Sequence, residues 1–187
     1  MGSVPSDGPA MLNAHKILVA GGFGSGKSTF VGAISEVRPL RTEEAVTAAS
    51  EGLDDLTGVA GKTTTTVALD FGRITLGPRV VLYLFGMPGQ DRFSFMWEEL
   101  SYGALGVVIL ADVRRLSDCF PSVNYFEKLG LPFVIAINRF DDSPRYDLEE
   151  VRLALDLDAD VPILFCDARE RDSVKQALIA LVGAITG

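Results

Sequence analysis

The stretch "GGFGSGKST" at 21–29 sets Gly21, Gly26, Lys27 and Ser28 in the spacing G-x-x-x-x-G-K-[ST]. The apolar run "HKILVA" (15–20) precedes it, and "KSTFVGAISEV" continues from it in a helical pattern. That context suits a phosphate-binding loop. The glycines let consecutive backbone N–H groups turn inward, and the start of the helix adds partial positive charge. Gly22, Phe23, Gly24, Ser25, Gly26 and Thr29 complete the cradle. Lys27 is placed to reach the β- and γ-phosphates of a nucleoside triphosphate, and the Ser28 hydroxyl to meet Mg2+. A glycine-rich turn without a ligand is the weaker reading, because the full pattern lies in register between a strand and a helix.

Two later stretches bear on the base. "AINRFDD" ends an apolar strand with Asn138, Arg139, Phe140 and Asp141. A carboxylate at Asp141 can accept two hydrogen bonds, from guanine N1–H and the N2 amine, a donor pair that adenine lacks. The Arg139 side chain can cover the face of the base. "FCDARE" ends the next strand with Asp167, Ala168 and Arg169. Either stretch alone is equally well read as a strand running into a polar loop; together and in order they favour guanine.

The phosphate loop, the threonines 63–66, "PGQDRF", "NRFD" and "DAR" together resemble a Ras-like small GTPase over about residues 14–186. "NRFD" is similar to the Asn-Lys-x-Asp guanine signature, with Arg139 in the lysine place, and "DAR" to the Ser-Ala-Lys loop. Within the superfamily, "GGFGSGKST", "TTTTVALDFGRI" and "LFGMPGQDRF" look most like the GTPases of actinobacterial conservons, with the gliding-motility GTPases more distant. The resemblance implies a switch binding GTP/GDP with Mg2+, a Roadblock-type regulatory partner and a sensor-kinase-like membrane protein. It implies a cytoplasmic protein recruited to the membrane by partners. It also assigns roles: Thr66 (Thr65 as runner-up) to Mg2+ and the γ-phosphate, the Gly89 N–H to the γ-phosphate, Gln90 to the attacking water, and the Ala168 N–H to the guanine carbonyl.

Two departures from the pattern imply weakened metal grip and slow hydrolysis. Gly86 stands where a metal-binding aspartate is expected, three residues before Gly89. Phe23 occupies a phosphate-loop position often held by a small residue, where its ring would crowd Gln90 or exclude an incoming arginine. Asp112, at the end of the next strand, is a candidate to compensate for the missing carboxylate. The run Phe93, Phe95 and Trp97 is read as a partner-docking patch, with core packing as the alternative for at least one of the three.

These groups need elements to hold them. Residues 1–13, rich in Gly, Pro and Ser, are expected to be a flexible tail, and 14–187 the G domain. Pro39 marks the end of the first helix, a short helix is expected over 43–50, and a mobile loop around Gly58 and Gly61. "TTVALDFGRITL" and "RVVLYLF" flank the Gly77-Pro78 turn as an antiparallel hairpin. Beyond it, the apolar strands "ALGVVILAD", "PFVIAIN" and "PILFCD" alternate with helices near 91–102, 117–129, 146–156 and 171–184. The expected fold is a P-loop NTPase α/β domain: a Ras-like six-stranded sheet, five strands parallel and one antiparallel, flanked by helices.

The bulk numbers agree. A chain of 187 residues with 48% hydrophobic and 22% charged residues is one ordinary globular domain. A net charge of -8 argues against a nucleic-acid partner. No apolar run is long enough to insert into a membrane. Gly2 and Ser6 match the loose myristoylation pattern, better read as a plain disordered start. Cys119 and Cys166 lack metal or disulfide spacing and read as buried fillers, and the single histidine, His15, argues against histidine catalysis. Two further functions stay open: a GTP-binding scaffold or sensor that does not hydrolyse, and a P-loop kinase or ATPase acting on a small substrate.

Overall fold

Each apolar run between the polar loops becomes a strand of one sheet. The computed structural model describes residues 12–38, 40–46 and 65–187. Within them the strands are β1 (Asn13–Ala20), β2 (Leu40–Val46), β3 (Thr65–Gly77), β4 (Val80–Gly86), β5 (Ala104–Ala111), β6 (Phe133–Asn138) and β7 (Ile163–Cys166). Their order is β2-β3-β4-β1-β5-β6-β7, and β3 alone runs against the others. The helices are α1 (Lys27–Ile34), α2 (Trp97–Ser101), α3 (Phe120–Leu129), α4 (Leu148–Ala154) and α5 (Arg171–Thr186). Two 3-10 segments, Asp91–Met96 and Val113–Cys119, lead into α2 and α3.

The alternation of β1 divides the core. Ile17 and Val19 pack with Phe30, Leu110, Val174 and Leu181 on the α1/α5 face. Leu18 and Ala20 pack with Met87, Ile109, Trp97 and Phe126 on the other. All six residues of β6 are buried, as expected of a central parallel strand covered on both sides. Each large aliphatic side chain buried in this way contributes about 1.5–3 kcal/mol relative to exposure.

The mostly parallel, helix-flanked sheet matches expectation, with three local differences. The strand count is seven among the described residues, not six, because Leu40–Val46 pairs antiparallel with β3. The helix expected over 43–50 is therefore strand through Val46. "LRTEEAV" lacks the apolar run that marks a buried strand, and only the open edge of β3 supplies its partner. The third difference is at α1, which ends at Ile34, short of Pro39. Ser35 turns extended (φ -62, ψ 136), and its hydroxyl donates to Val37 O at 2.7 Å and accepts from Arg73 N–H at 3.2 Å. The loop around Gly58 and Gly61, Pro39, Thr63 and Thr64 lie outside the described residues, as does the tail except Leu12 and Asn13, the latter already in β1. Among the described residues no helix is long and apolar enough to cross a membrane.

The topology gathers the C-terminal ends of β1, β4, β5, β6 and β7 on one edge of the sheet, the usual ligand-binding edge of such folds. Because β3 is reversed, its N-terminal half lies at that edge too.

Candidate functional site

The loop after β1 wraps the start of α1. Gly26, the cap of α1, has φ 104, and a Cβ there would collide with Asn138 Nδ2. No side chain caps α1 and its first turn carries no acid, so its leading amides are left facing the loop. Lys27 folds back on that loop, donating to Gly21 O at 2.9 Å and Gly22 O at 2.6 Å. Burial pushes its amine down to about 8, against the opposing pull of the Asp70 charge.

Ser28 donates to Asp70 Oδ2 at 2.5 Å. Asp70, buried on β3, pairs in register with Gly86 on β4. A Cβ at Gly86 would lie 3.0 Å from Asp70 Cβ and 3.2 Å from Asp70 Oδ2. Asp70 is the site residue that sequence reasoning passed over, although the signal was present. It is the one acid of β3, and from Thr75↔Val81 outward β3 and β4 pair residues equidistant from Pro78, which sets 70 opposite 86.

Asp112 is not free to compensate for Gly86. It caps the 3-10 segment through Arg114 N–H at 3.0 Å and takes Arg114 Nε at 2.9 Å and Nη2 at 2.8 Å. Burial opposes its charge, but the hydrogen bonds and charges of Arg114 and Arg115 outweigh that and hold its carboxyl below the usual range. The Phe23 side chain is exposed, and its carbonyl accepts from Arg115 Nη2 at 2.5 Å; the chain's own arginine lies against this loop.

The Gly89 backbone approaches the loop so closely that a Cβ would lie 2.5 Å from Lys27 Nζ and 2.8 Å from Gly21 O. Gln90 is half-buried and begins the 3-10 segment, its carbonyl accepting from Phe93 N–H at 3.0 Å. The aromatic run divides, core packing holding for two of its three residues. Phe93 and Trp97 are core residues, Trp97 Nε1 donating to Pro88 O at 3.2 Å, and Phe95 alone of the three is exposed, at 65%. Residues 93 and 97, one helical turn apart, face inward together, which leaves 95 on the outer side. Thr66 pairs with Ala45 near the start of β3, four residues and so about 13 Å of strand before Asp70.

Asn138 ties two loops together. Its Nδ2 donates to Ser25 O at 2.9 Å and its Oδ1 accepts from Ala168 N–H at 3.0 Å. The Ala168 amide, expected to face a guanine carbonyl, is thus directed onto Asn138. Beside this strut lies a cavity of about 510 Å3 lined by Asn138, Arg139, Asp141, Phe165, Asp167 and Arg169 among others. Arg139 stacks its guanidinium over the Phe165 ring at 4.4 Å. Arg169 forks onto Asp141, Nη1 to Oδ2 at 3.3 Å and Nη2 to Oδ1 at 3.2 Å, and also holds Asp167 at 2.8 Å.

Among the described residues no group of three or more His, Cys, Asp or Glu could hold a metal. The Ser28–Asp70 pair beside the loop suits instead a Mg2+ ion that keeps waters and shares phosphate oxygens. The residues present fit that ion.

A family profile described as "conserved hypothetical ATP binding protein" matches residues 19–187. No curated protein matches the chain in sequence. Among solved structures, the G domain of the T. maritima FeoB iron transporter is similar at 16% identity and TM-score 0.62, over 92% of this chain and 99% of that one. The FeoB G domain from Methanococcus jannaschii is similar at 13% and 0.61, over 94% and 100%. The cytosolic domain of T. maritima FeoB is similar at 14% and 0.65, over 94% of this chain and 65% of that longer one. At such identities the likeness shows the fold, a G-domain fold.

Proposed function

The chain belongs to the family of conserved hypothetical ATP-binding proteins, and from that premise we propose a guanine-nucleotide switch that holds GTP or GDP with Mg2+ and hydrolyses GTP slowly. The family description names ATP; the Asp141 geometry is the observation that favours guanine. Both Asp141 oxygens accept from one planar fork of N–H groups, that of Arg169, at 3.2 and 3.3 Å. Guanine N1–H and N2–H present a fork of the same kind, and adenine has none. Base binding replaces Arg169 at Asp141, while Arg139 and Phe165 offer their faces to the ring.

For the phosphates, the loop amides at 22–29 and the Lys27 amine bind and orient. Mg2+, when bound, would supply positive charge to the phosphates. Ser28 would hold it, and Thr66, paired with Ala45 near the start of β3, would reach it only if that pairing opened. Ordering of that segment and of Gly89–Gln90 by the γ-phosphate is the proposed switch. Hydrolysis is attack of a water oriented by Gln90 on the γ-phosphorus, with the bond to the β–γ bridging oxygen breaking to leave GDP and phosphate. A Roadblock-type regulator, a sensor-kinase-like membrane protein and peripheral recruitment from the cytoplasm are carried by the motif resemblance alone.

Single-turnover GTP hydrolysis tests the enzyme reading. Wild type is expected to release phosphate slowly, and Gln90→Ala to lower the rate by about 10²-fold, the loss typical of one positioning group. An unchanged rate removes Gln90 from the chemistry. No phosphate release, alone or with a Roadblock-type protein in excess, leaves a nucleotide-binding scaffold.

Lys27 sets a pH dependence. Its ligand-free amine titrates near 8, and phosphate oxygens raise that value because they favour the charged form. Below pH 8 the amine is already charged and binding takes up little. At pH 9 about nine-tenths of it is neutral, so nucleotide binding takes up close to one proton and affinity falls up to ~10-fold per pH unit. Calorimetry in two buffers of different ionisation enthalpy measures the uptake; none at pH 9 contradicts the placement of Lys27 on phosphate.

A further inference from the structure

We propose that the metal-site carboxylate has moved one strand across the sheet, so that Asp70 of β3 performs for the nucleotide's Mg2+ the task that residue 86 of β4 leaves undone. This rests on the nucleotide-binding reading above.

Three observations converge. Asp70 and Gly86 are directly paired, so their side-chain positions are neighbours across the ladder. The space over Gly86 is filled by the Asp70 side chain, 3.0 Å from where a Cβ on residue 86 would stand. A carboxylate from either strand therefore brings its oxygens to neighbouring places, and a side chain at 86 would crowd Asp70. Finally, Asp70 already accepts the Ser28 hydroxyl proton. With its hydrogen directed at Asp70, the Ser28 oxygen can turn a lone pair toward a cation, and the carboxylate orients that ligand from behind.

The buried setting favours this use. Asp70 and Lys27 lie within electrostatic reach of one another. Asp70 offsets part of the cost of burying the Lys27 charge, so negative charge is already placed beside the phosphate loop. Glycine at 86 leaves the Asp70 side chain uncrowded.

The test moves the carboxylate back. Mn2+ affinity of the GDP complex, by electron paramagnetic resonance titration, and GDP release with and without Mg2+ are measured for wild type, Asp70→Asn and Asp70→Gly/Gly86→Asp. Asp70→Asn is expected to weaken metal binding 10–100-fold, as loss of a metal-orienting carboxylate does, and to remove most of the slowing of GDP release by Mg2+. The effect is read within each variant, as the ratio of GDP release without Mg2+ to release with it. The double variant should return metal affinity to within a few-fold of wild type, whereas Gly86→Asp alone, with both carboxylates crowded together, should lower the melting temperature.

A folded Asp70→Asn protein with wild-type Mn2+ affinity overturns the assignment. So does a folded double variant that stays more than tenfold weak. If Asp70→Asn does not fold, the double variant decides alone by the same threshold. Wild type that retains no GDP in EDTA or in Mg2+ overturns the nucleotide reading beneath the proposal, an outcome distinguishable because wild type carries Asp70 intact.

Discussion

Lys27→Ala is expected to abolish useful nucleotide binding while leaving the fold in place. Among the described residues the amine donates to two carbonyls, 2.9 and 2.6 Å away, and burial lowers its hold on the proton. Its stabilising partners are therefore to arrive with the ligand. Removing one member of a buried, hydrogen-bonded charge pair costs about 2–5 kcal/mol, so affinity for GDP and GTP should fall roughly 30- to 5,000-fold. Stability should move the other way or little. Deletion relieves the desolvation of a buried ammonium but removes a positive charge that interacts with Asp70, two effects of opposite sign. Displacement of a fluorescent GDP analogue gives the affinity, and a thermal melt without nucleotide checks the fold. Retention of GDP within about threefold of wild type would remove the phosphate loop from the binding site.

Asp141→Asn is expected to exchange guanine for xanthine. The carboxylate accepts from N1–H and N2–H of guanine. An asparagine keeps one acceptor but points an N–H at the guanine amine, setting donor against donor. Xanthine carries a carbonyl at that position, which takes the new donor. Loss of a charge-assisted bond together with an unpaired polar group costs about 3–4 kcal/mol, so GDP should weaken ~10²–10³-fold and XDP should overtake it. Competition among GDP, ADP and XDP reads the result. Arg169→Ala is the comparator: its fork on Asp141 is exposed, and such pairs are worth ~0–1 kcal/mol, so removing it should change GDP affinity only a few-fold. Equal affinity for ADP and GDP, unmoved by any change at Asp141, would place the chain with ATP, as its family description has it.

Legibility in the sequence varied with distance along the chain. The phosphate loop reads from nine consecutive residues because backbone conformation there is local: Gly21, Gly24 and Gly26 all take positive φ. Apolar runs of six to eight residues marked β1, β5 and β6 for the same reason. The edge strand Leu40–Val46 did not show, because a strand with one neighbour needs no continuous apolar run. For the run Phe93, Phe95 and Trp97 the sequence left docking patch and core packing both open; the 3-10 and α geometry puts Phe93 and Trp97 in the core and leaves Phe95 outside.

What the amino-acid sequence determined alone is therefore the set of parts: a phosphate loop before a helix, strands alternating with helices, and acids at the ends of β6 and β7 in the order that a nucleotide site uses. The tertiary structure decided which parts touch. Asp70 covers Gly86 because the hairpin register sets them opposite, Asn138 ties Ser25 to Ala168 across two strands, and Arg169 reaches Asp141 from the neighbouring loop. Local backbone preferences act over a few residues and can be read in order. Contacts between residues 16 to 113 positions apart exist only once sheet order and register bring their strands together.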